Sequence, residues 1–291
     1  GALVPFCMVQ LSPDTDTIPY SSGNGYNPDV YKYCAGYQYD DPTIVGFSHT
    51  HLHGTGHSDL GDFLIMPIEG KIQLNPGTAD HPEQGYRSNY DKSSEIAKAG
   101  YYSVNLTKHH IKAELTATQR VGVHRYQFSG KETPAIILDL VHGIYNYDGK
   151  VIWSSIRIEN DSTVTGYRQT NGWAKERKVY FAMIFSKPIK QYGIINTDKE
   201  TYKGFWRRWK MDKNFPENSG RKIKAWFQFN MQQENDLTIR MALSAVSAQG
   251  ALNNLRVETP KADFDAIRQN SYNAWNREVN TINIEASENE K

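Results

Sequence analysis

Apolar and polar residues alternate with a period of two along most of this chain, which is the pattern of strands that bury one face of an antiparallel sheet. In IKAELTAT, residues 111–118, the isoleucine, leucine and alanines fall on one face and the polar residues on the other. DLTIRMALSA (236–245) and KIKAWFQF (222–229) alternate in the same way, with Trp226 on the polar side. In RVGVHRYQF the phase slips at His124-Arg125, which predicts a β-bulge there.

Two segments are apolar on both faces and therefore predict central strands that are covered on both sides. They are KVYFAMIFS (178–186) and IILDLV (136–141), the second interrupted by Asp139. Turn pairs such as Asp148-Gly149 and Asn171-Gly172 separate these segments from the other predicted strands. Those strands cover residues 5–11, 43–48, 62–74, 101–107, 151–160, 162–170 and 189–198. About a dozen strands predict a mainly β chain, folded as a large antiparallel β-sandwich.

The pattern changes from period two to helical spacing near residue 247. SAQGALNNLRVE predicts a short helix, and a second, amphipathic helix follows Pro260. The apolar stripe of the second helix consists of Phe264, Ile267, Ser271, Trp275 and Val279. We expect this stripe to pack on the β domain or on a neighbouring copy. The sequence thus predicts a β domain over residues 1–246 and a helical connector over 247–291.

Charge and composition exclude several classes of protein. The chain of 291 residues has 33 Lys plus Arg against 32 Asp plus Glu, so no overall field favours nucleic acid or an anionic membrane. No apolar run approaches the roughly 20 residues of a membrane span. The first residues already have the pattern of a strand and turn, so we expect any leader to have been removed. Cys7 and Cys34 permit one disulfide without requiring it.

The run GFSHTHLHGTGHSDLGD, residues 46–62, is the strongest candidate for chemistry. On an extended strand His49, His51 and His53 would share one face about 7 Å apart, and such imidazoles could ligate zinc or copper. Yet the chain has no Cys-x-x-Cys pair and no His-Glu-x-x-His helix motif. A structural or ligand-contacting role is the alternative. The glycines would then permit a sharp turn, and Asp59 and Asp62 could bond backbone amides.

Other chemical motifs are weaker. The chain has no Gly-x-Ser-x-Gly elbow for a serine nucleophile. Cys34 and His49 could form a catalytic Cys–His pair, but an ordinary buried cysteine is the alternative. No motif singles out an acid pair for glycoside hydrolysis. GFWRRWK (204–210) mixes aromatic and basic residues, as nucleic-acid-binding segments do, but the chain has no wider basic stripe around it. An exposed hairpin or a sugar-facing edge is therefore favoured for this segment.

Several long stretches together resemble one known family. They include VPFCMVQLSPDT (4–15), YCAGYQYDDPTIVGFSHTHLHGTGHSDLGDFLIMP (33–67), IKAELTATQRVGVHRYQF (111–128) and NGWAKERKVYFAMIFSKP (171–188). The resemblance is to glycoside hydrolase family 92, the calcium-dependent exo-acting α-mannosidases, many of them α-1,2-mannosidases. Members usually carry Trp where this chain has Tyr33.

The resemblance implies an N-terminal β-supersandwich joined by helices to an (α/α)₆ barrel. In the family the barrel supplies the general acid, the general base and most calcium ligands, so no catalytic residue and no metal ligand is assigned to this chain. Calcium is the implied cofactor. Mannose-containing glycans and the chain's own C-terminal catalytic domain are the implied partners, without nucleic acid, in a secreted or periplasmic enzyme.

What the resemblance assigns to this chain is the rim of a sugar pocket, built by the loop 31–37 and the histidine run. The implied substrate-binding residues are Tyr33, Cys34, Tyr37, His49, His51, His53, Asp59 and Asp62. Two alternatives stay open at this point. One is a free-standing carbohydrate-binding β-sandwich, and the other is a metalloenzyme built on the histidine run.

Overall fold

A computed structural model describes residues 1–19, 32–52, 58–198, 216–231, 234–261 and 263–282. The described chain contains two α-helices, α1 (Ala248–Glu258) and α2 (Phe264–Val279), and a 3₁₀ turn at Pro82–Gln84. Its strands are β1 (Ser12–Asp14), β2 (Ile18–Pro19), β3 (Thr43–Ile44), β4 (Gly46–Ser48), β5 (Leu64–Glu69), β6 (Ser88–Lys98), β7 (Tyr101–Leu106), β8 (Ile111–Ala117), β9 (Val121–Gln127), β10 (Pro134–Asp139), β11 (Tyr145–Asn146), β12 (Val151–Ile158), β13 (Thr163–Thr170), β14 (Arg177–Phe185), β15 (Ile189–Asn196), β16 (Glu217–Gly220), β17 (Ile223–Phe229) and β18 (Asp236–Ser244).

The strands form two antiparallel sheets and one short parallel pair, β2 with β11. The smaller sheet has the order β1-β4-β5-β10-β17-β15, and the larger has the order β16-β12-β13-β14-β18-β9-β8-β7-β6-β3. One buried apolar cluster takes side chains from both sheets, such as Phe227 from the first and Phe185 from the second, whose ring centroids lie 5.2 Å apart. The predicted mainly β sandwich is therefore confirmed.

The helices cover the outer face of the larger sheet, which gives the molecule a third layer. A second apolar cluster joins Val121 and Val123 of β9 to Leu255 of α1 and to Phe264 and Ile267 of α2. Each helix starts at a side-chain cap: Ser247 accepts from the Gly250 N–H, and Asp263 accepts from two backbone N–H groups. The expected packing of the apolar stripe on the β domain is confirmed for Phe264 and Ile267, whereas Val279 is exposed. The domain division at residue 246 stays a prediction.

The bulge predicted at His124-Arg125 is wrong. Strand β9 pairs in unbroken register with both β8 and β18. The phase changes because the two faces of β9 meet two different apolar layers: Val121 and Val123 face the helices, whereas Tyr126 faces the core between the sheets. A strand buried on both faces has no single alternation to follow.

Two further expectations about the strands differ from the structure. Residues 5–11 do not form a strand, because the backbone turns at Phe6 with a φ of 54°, and their only ladder contact is an isolated bridge between Leu11 and Ala2. Strand β6 is not predicted by the pattern, because it is largely polar and lies near the sheet edge between β7 and β3.

Cys7 and Cys34 are both free thiols. Neither described helix is long and apolar enough to cross a membrane.

Candidate functional site

The described part of the histidine run lies across one end of the sandwich and is held there by buried charge. His51 places Nε2 2.7 Å from Asp14 Oδ1, and His142 places Nε2 2.7 Å from Asp14 Oδ2. We call these three residues the Asp14 cluster. The other ring nitrogen of His51, Nδ1, donates to the Gln10 carbonyl at 2.6 Å. A carbonyl and an ionised carboxylate only accept hydrogen bonds, so His51 carries a proton on each nitrogen and is a cation.

The carboxylate of Asp14 is fully buried and remains ionised. Burial opposes its charge, but the attraction of His51 and the hydrogen bonds from His51 and His142 outweigh burial and hold the pKa of Asp14 well below its ordinary value. The cluster therefore fixes the histidine run to strand β1 with charge-assisted bonds.

Removing the charge of Asp14 is expected to loosen this attachment. Asp14→Asn keeps the shape but weakens two charge-assisted hydrogen bonds, so we expect the free energy of unfolding to fall by about 2 kcal/mol at pH 7. The loss stays moderate because the asparagine keeps a carbonyl oxygen that can still accept a hydrogen bond. Urea denaturation measures it, with the exposed Asp80→Asn as the matched control. Equal stabilities of the two variants would contradict this role of Asp14.

His49 belongs to a separate chain of hydrogen bonds that is neutral. The Tyr126 hydroxyl lies 2.7 Å from His124 Nδ1, His124 Nε2 lies 3.1 Å from His49 Nε2, and His49 Nδ1 lies 2.8 Å from the Phe63 carbonyl. We call these residues the histidine relay. Burial is the main cause that lowers the pKa of His49 to about 4 and that of His124 well below its ordinary value. With both rings neutral, one direction of donation satisfies every link: Tyr126 to His124, His124 to His49, and His49 to the carbonyl.

Asp62 is the centre of a third buried group, which we call the Asp62 cluster with Arg168 and Arg177. Arg168 Nη1 donates to Oδ1 at 3.0 Å and Arg177 Nη1 to Oδ2 at 2.6 Å, and the Thr50 hydroxyl adds a bond of 2.6 Å. Burial opposes the charge of Asp62, but the two arginines outweigh it and hold the pKa well below its ordinary value. The side chains of Asp62 and Arg168 are both inaccessible to solvent.

Asp59 has a similar internal role nearer the surface. Its carboxylate accepts from the buried Lys150 ammonium and, at 3.0 Å, from the backbone N–H of Trp173. Burial opposes ionisation of Asp59, but the hydrogen bond and charge of Lys150 lower its pKa. Both aspartates of the histidine run are thus engaged by cationic side chains.

The loop that contains Tyr33, Cys34 and Tyr37 packs against the Asp14 cluster. Gly36 has a φ of 77°, and a Cβ there would collide with the Asp14 carboxylate, so only glycine permits this close approach. The Tyr33 hydroxyl donates to Asp41 at 3.0 Å, and the Cys34 thiol is half-buried. The two candidate loops therefore meet at one end of the fold.

Tyr37 faces a neighbouring cavity of about 370 Å³. Its hydroxyl donates to Glu95 at 2.9 Å, and Tyr39 and Tyr102 line the same cavity. His53 lies outside the described residues, as does the segment 204–210. For the eight residues assigned to the rim, contact with substrate stays a prediction.

The donor set does not fit calcium in this part of the chain. Calcium takes about six to eight oxygen ligands, mainly from carboxylates and carbonyls. The carboxylates of Asp14, Asp59 and Asp62 are each engaged by histidine, lysine or arginine. Among the described residues, no three His, Cys, Asp or Glu side chains are grouped so as to hold a metal ion.

Several residues that organise the site have no recognisable signal in the sequence. Asp14, His124, His142, Lys150, Arg168 and Arg177 come from six separate segments. The isolated Asp139 in an apolar strand was a partial signal, since its carboxylate lies 2.8 Å from Lys224 and accepts from the Tyr86 hydroxyl at 2.9 Å. Asp139 also caps the backbone at Val141 and His142, which sets the position of His142.

Comparison with known proteins gives consistent matches. The family model for the glycosyl hydrolase family 92 N-terminal domain matches residues 1–244. The family GH92 α-mannosidase BT3965 from Bacteroides thetaiotaomicron is 35% identical with a TM-score of 0.85, over 99% of this chain and 36% of that one. A structure of the same enzyme with mannoimidazole is 34% identical with a TM-score of 0.84, over 98% of this chain and 35% of that one.

More distant relatives also match nearly the whole of this chain and about a third of their own length. The family GH92 inverting mannosidase BT2199 from the same organism is 26% identical with a TM-score of 0.76, over 98% of this chain and 34% of that one. A protein of Arthroderma benhamiae described as an uncharacterized secreted glycosidase is 21% identical, over 98% of this chain and 36% of its own length. The chain thus spans about a third of the length of these relatives.

Proposed function

The chain belongs to glycoside hydrolase family 92, whose N-terminal domain it carries, and on that premise we propose that it forms one wall of the substrate pocket in an exo-acting α-mannosidase. The enzyme hydrolyses terminal α-mannosides, with α-1,2-linked mannose as the preferred substrate, and inverts the anomeric centre. We also propose that it is secreted or periplasmic, which a relative described as secreted supports.

One observation carries the role of this chain: three loops meet at one end of the sandwich and are fixed by buried ion pairs. The loop at 33–37 rests on the Asp14 cluster, and the histidine run links the Asp14 and Asp62 clusters. The loop 171–176 is bonded to Asp59, and Arg177, the residue that follows it, is bonded to Asp62. Rigid loops on a sheet scaffold are the usual support of a binding site.

The same contacts argue that the reacting carboxyl groups come from elsewhere in the protein. Inversion requires a general acid and a general base about 6.5–9.5 Å apart, with room for a water between them. Asp14, Asp59 and Asp62 have lowered pKa values and are paired with histidine, lysine or arginine side chains, so they suit neither role. We propose that the acid, the base and the calcium ligands belong to a further, catalytic domain.

The test is an assay of the full-length protein on α-1,2-, α-1,3- and α-1,6-linked mannobiose. We expect α-1,2-mannobiose to be cleaved fastest, with β-mannose as the first product by NMR, and a chelator to abolish activity reversibly. The 291-residue chain alone should show no cleavage above background. Cleavage by this chain at a rate near that of the full-length protein would refute the proposal that the acid and the base belong to a further domain. α-Mannose as the first product would refute inversion.

A further inference from the structure

The loop between β13 and β14, residues 171–176, is held at both ends by the two aspartates of the histidine run. Near its start, the Trp173 N–H donates to Asp59 Oδ2 at 3.0 Å. Just after its end, Arg177 Nη1 donates to Asp62 Oδ2 at 2.6 Å. Both carboxylates therefore hold this second loop in place, and their own contact with substrate stays a prediction.

The backbone of the loop fits its anchors closely. A Cβ at position 172 would collide with the Asp59 carboxylate, so glycine is required for the contact. Asn171 N–H donates to the Lys150 carbonyl at 2.8 Å, which joins the loop to the neighbouring turn. Glu176 has a φ of 55°, a conformation that L-residues adopt only when the surrounding structure imposes it.

A large aromatic side chain is presented from this fixed backbone. Trp173 is 66% exposed, whereas Trp153 is 43% exposed. Trp226 packs against the core, and Trp275 donates its indole N–H to the Leu3 carbonyl at 2.7 Å. An indole on a preorganised loop offers an apolar face for binding at little cost in conformational entropy.

The groups around Trp173 indicate what kind of ligand this face suits. The buried Lys150 is paired with Asp59, and Arg177 shares the Asp62 carboxylate with Arg168. Tyr145 and Tyr147 lie in the adjoining segment, with their ring centroids 6.1 Å apart. An aromatic surface of this kind suits a ligand that has an apolar face and polar edges.

We propose that Trp173 is a specificity-determining residue whose indole stacks on the C–H face of a neutral pyranose of the substrate, with Asp59 as the positioning residue that holds it. The inference rests on the proposed mannosidase function and extends it to a residue outside the two predicted rim loops. A pyranose has one face of C–H groups, so stacking on the indole adds dispersion and apolar contact while the hydroxyls stay available for hydrogen bonds.

The experiment uses the full-length protein and three variants: Trp173→Ala, Trp173→Phe and, as a matched control, Trp153→Ala. KM and kcat are measured on α-1,2-mannobiose, and Tm is measured for each variant. We expect Trp173→Ala to raise KM about 10-fold with kcat within about two-fold of the unaltered protein. Trp173→Phe should recover most of the affinity because it keeps an aromatic face. Trp153→Ala should leave KM unchanged, since Trp153 lies on the outer face of β12.

The outcomes separate this inference from the function on which it rests. If the unaltered protein cleaves mannobiose but Trp173→Ala leaves KM unchanged, the stacking of a pyranose on Trp173 is refuted while the proposed function stands. A lower Tm with an unchanged KM would show instead that the indole packs against the rest of the protein, which also overturns the inference. An unaltered protein inactive on every mannoside would overturn both proposals.

Discussion

Asp62→Asn is expected to lower the free energy of unfolding by about 3–5 kcal/mol, the usual cost of removing one partner of a buried ion pair. Arg168 and Arg177 then lose the carboxylate to which both donate, and Arg168 is fully buried. An arginine cannot release its proton in compensation, so the charge remains without its counter-ion. The effect should therefore exceed that of Asp14→Asn, where histidines face the lost charge.

Urea denaturation of the chain at pH 7 measures this loss, with Asp148→Asn as the control. Asp148 pairs with Lys222 at 3.6 Å, but its side chain is 95% exposed, so that pair should contribute at most about 1 kcal/mol. If Asp62→Asn and Asp148→Asn unfold at the same urea concentration, the Asp62 cluster does not stabilise this end of the fold. The same substitution in the full-length protein should raise KM, because it frees the end of the loop that carries Trp173.

Acidification from pH 7 to pH 4.5 is expected to destabilise the chain by about 2 kcal/mol for each histidine that is buried and neutral. Burial lowers the pKa of His49 and of His109 to about 4 in the folded state, against an ordinary value of 6.5. Between these two values the unfolded chain binds more protons than the folded chain, so stability falls as the pH falls. The contribution is complete above pH 6.5 and is lost progressively down to about pH 4.

Two substitutions isolate the source of this pH dependence. His109 donates Nε2–H to the Tyr86 carbonyl at 2.9 Å, and the amide of His109→Gln can keep that bond without titrating. This variant should lose less stability between pH 7 and pH 4.5 than the unaltered chain does. His81→Gln, at an exposed side chain, should behave like the unaltered chain. A pH dependence that is the same in all three proteins would mean that these buried histidines do not titrate as their burial requires.

Local patterning predicted the strands whose two faces differ clearly. Strand β17 is an example, since Ala225 and Phe227 lie in the core while Trp226, on the opposite face of the strand, is only partly buried. Patterning predicted a bulge in β9 that the structure does not have, because the two faces of β9 are buried in different layers. It missed β6, which is polar and near the edge. Burial on a given face depends on what packs there, and the sequence of a single strand does not contain that information.

For the site, the resemblance named two loops, but nothing in the sequence shows what their charged residues contact. Asp59 and Asp62 fit a sugar-binding rim by residue type, yet they bond Lys150, Trp173, Arg168 and Arg177. Each of these partners lies about 90 residues or more farther along the chain, as the 91 positions between Asp59 and Lys150 show. No spacing rule links side chains at such distances.

The sequence by itself determined that the chain is a β-sandwich followed by two helices and that it belongs to glycoside hydrolase family 92. Residue order is sufficient for this, because period-two alternation, helix caps and long motifs are local properties of the chain. Only the tertiary structure decided that His49 is neutral whereas His51 is charged, although they are two residues apart. The protonation of a buried group depends on the acceptors and charges that folding brings to it from distant segments.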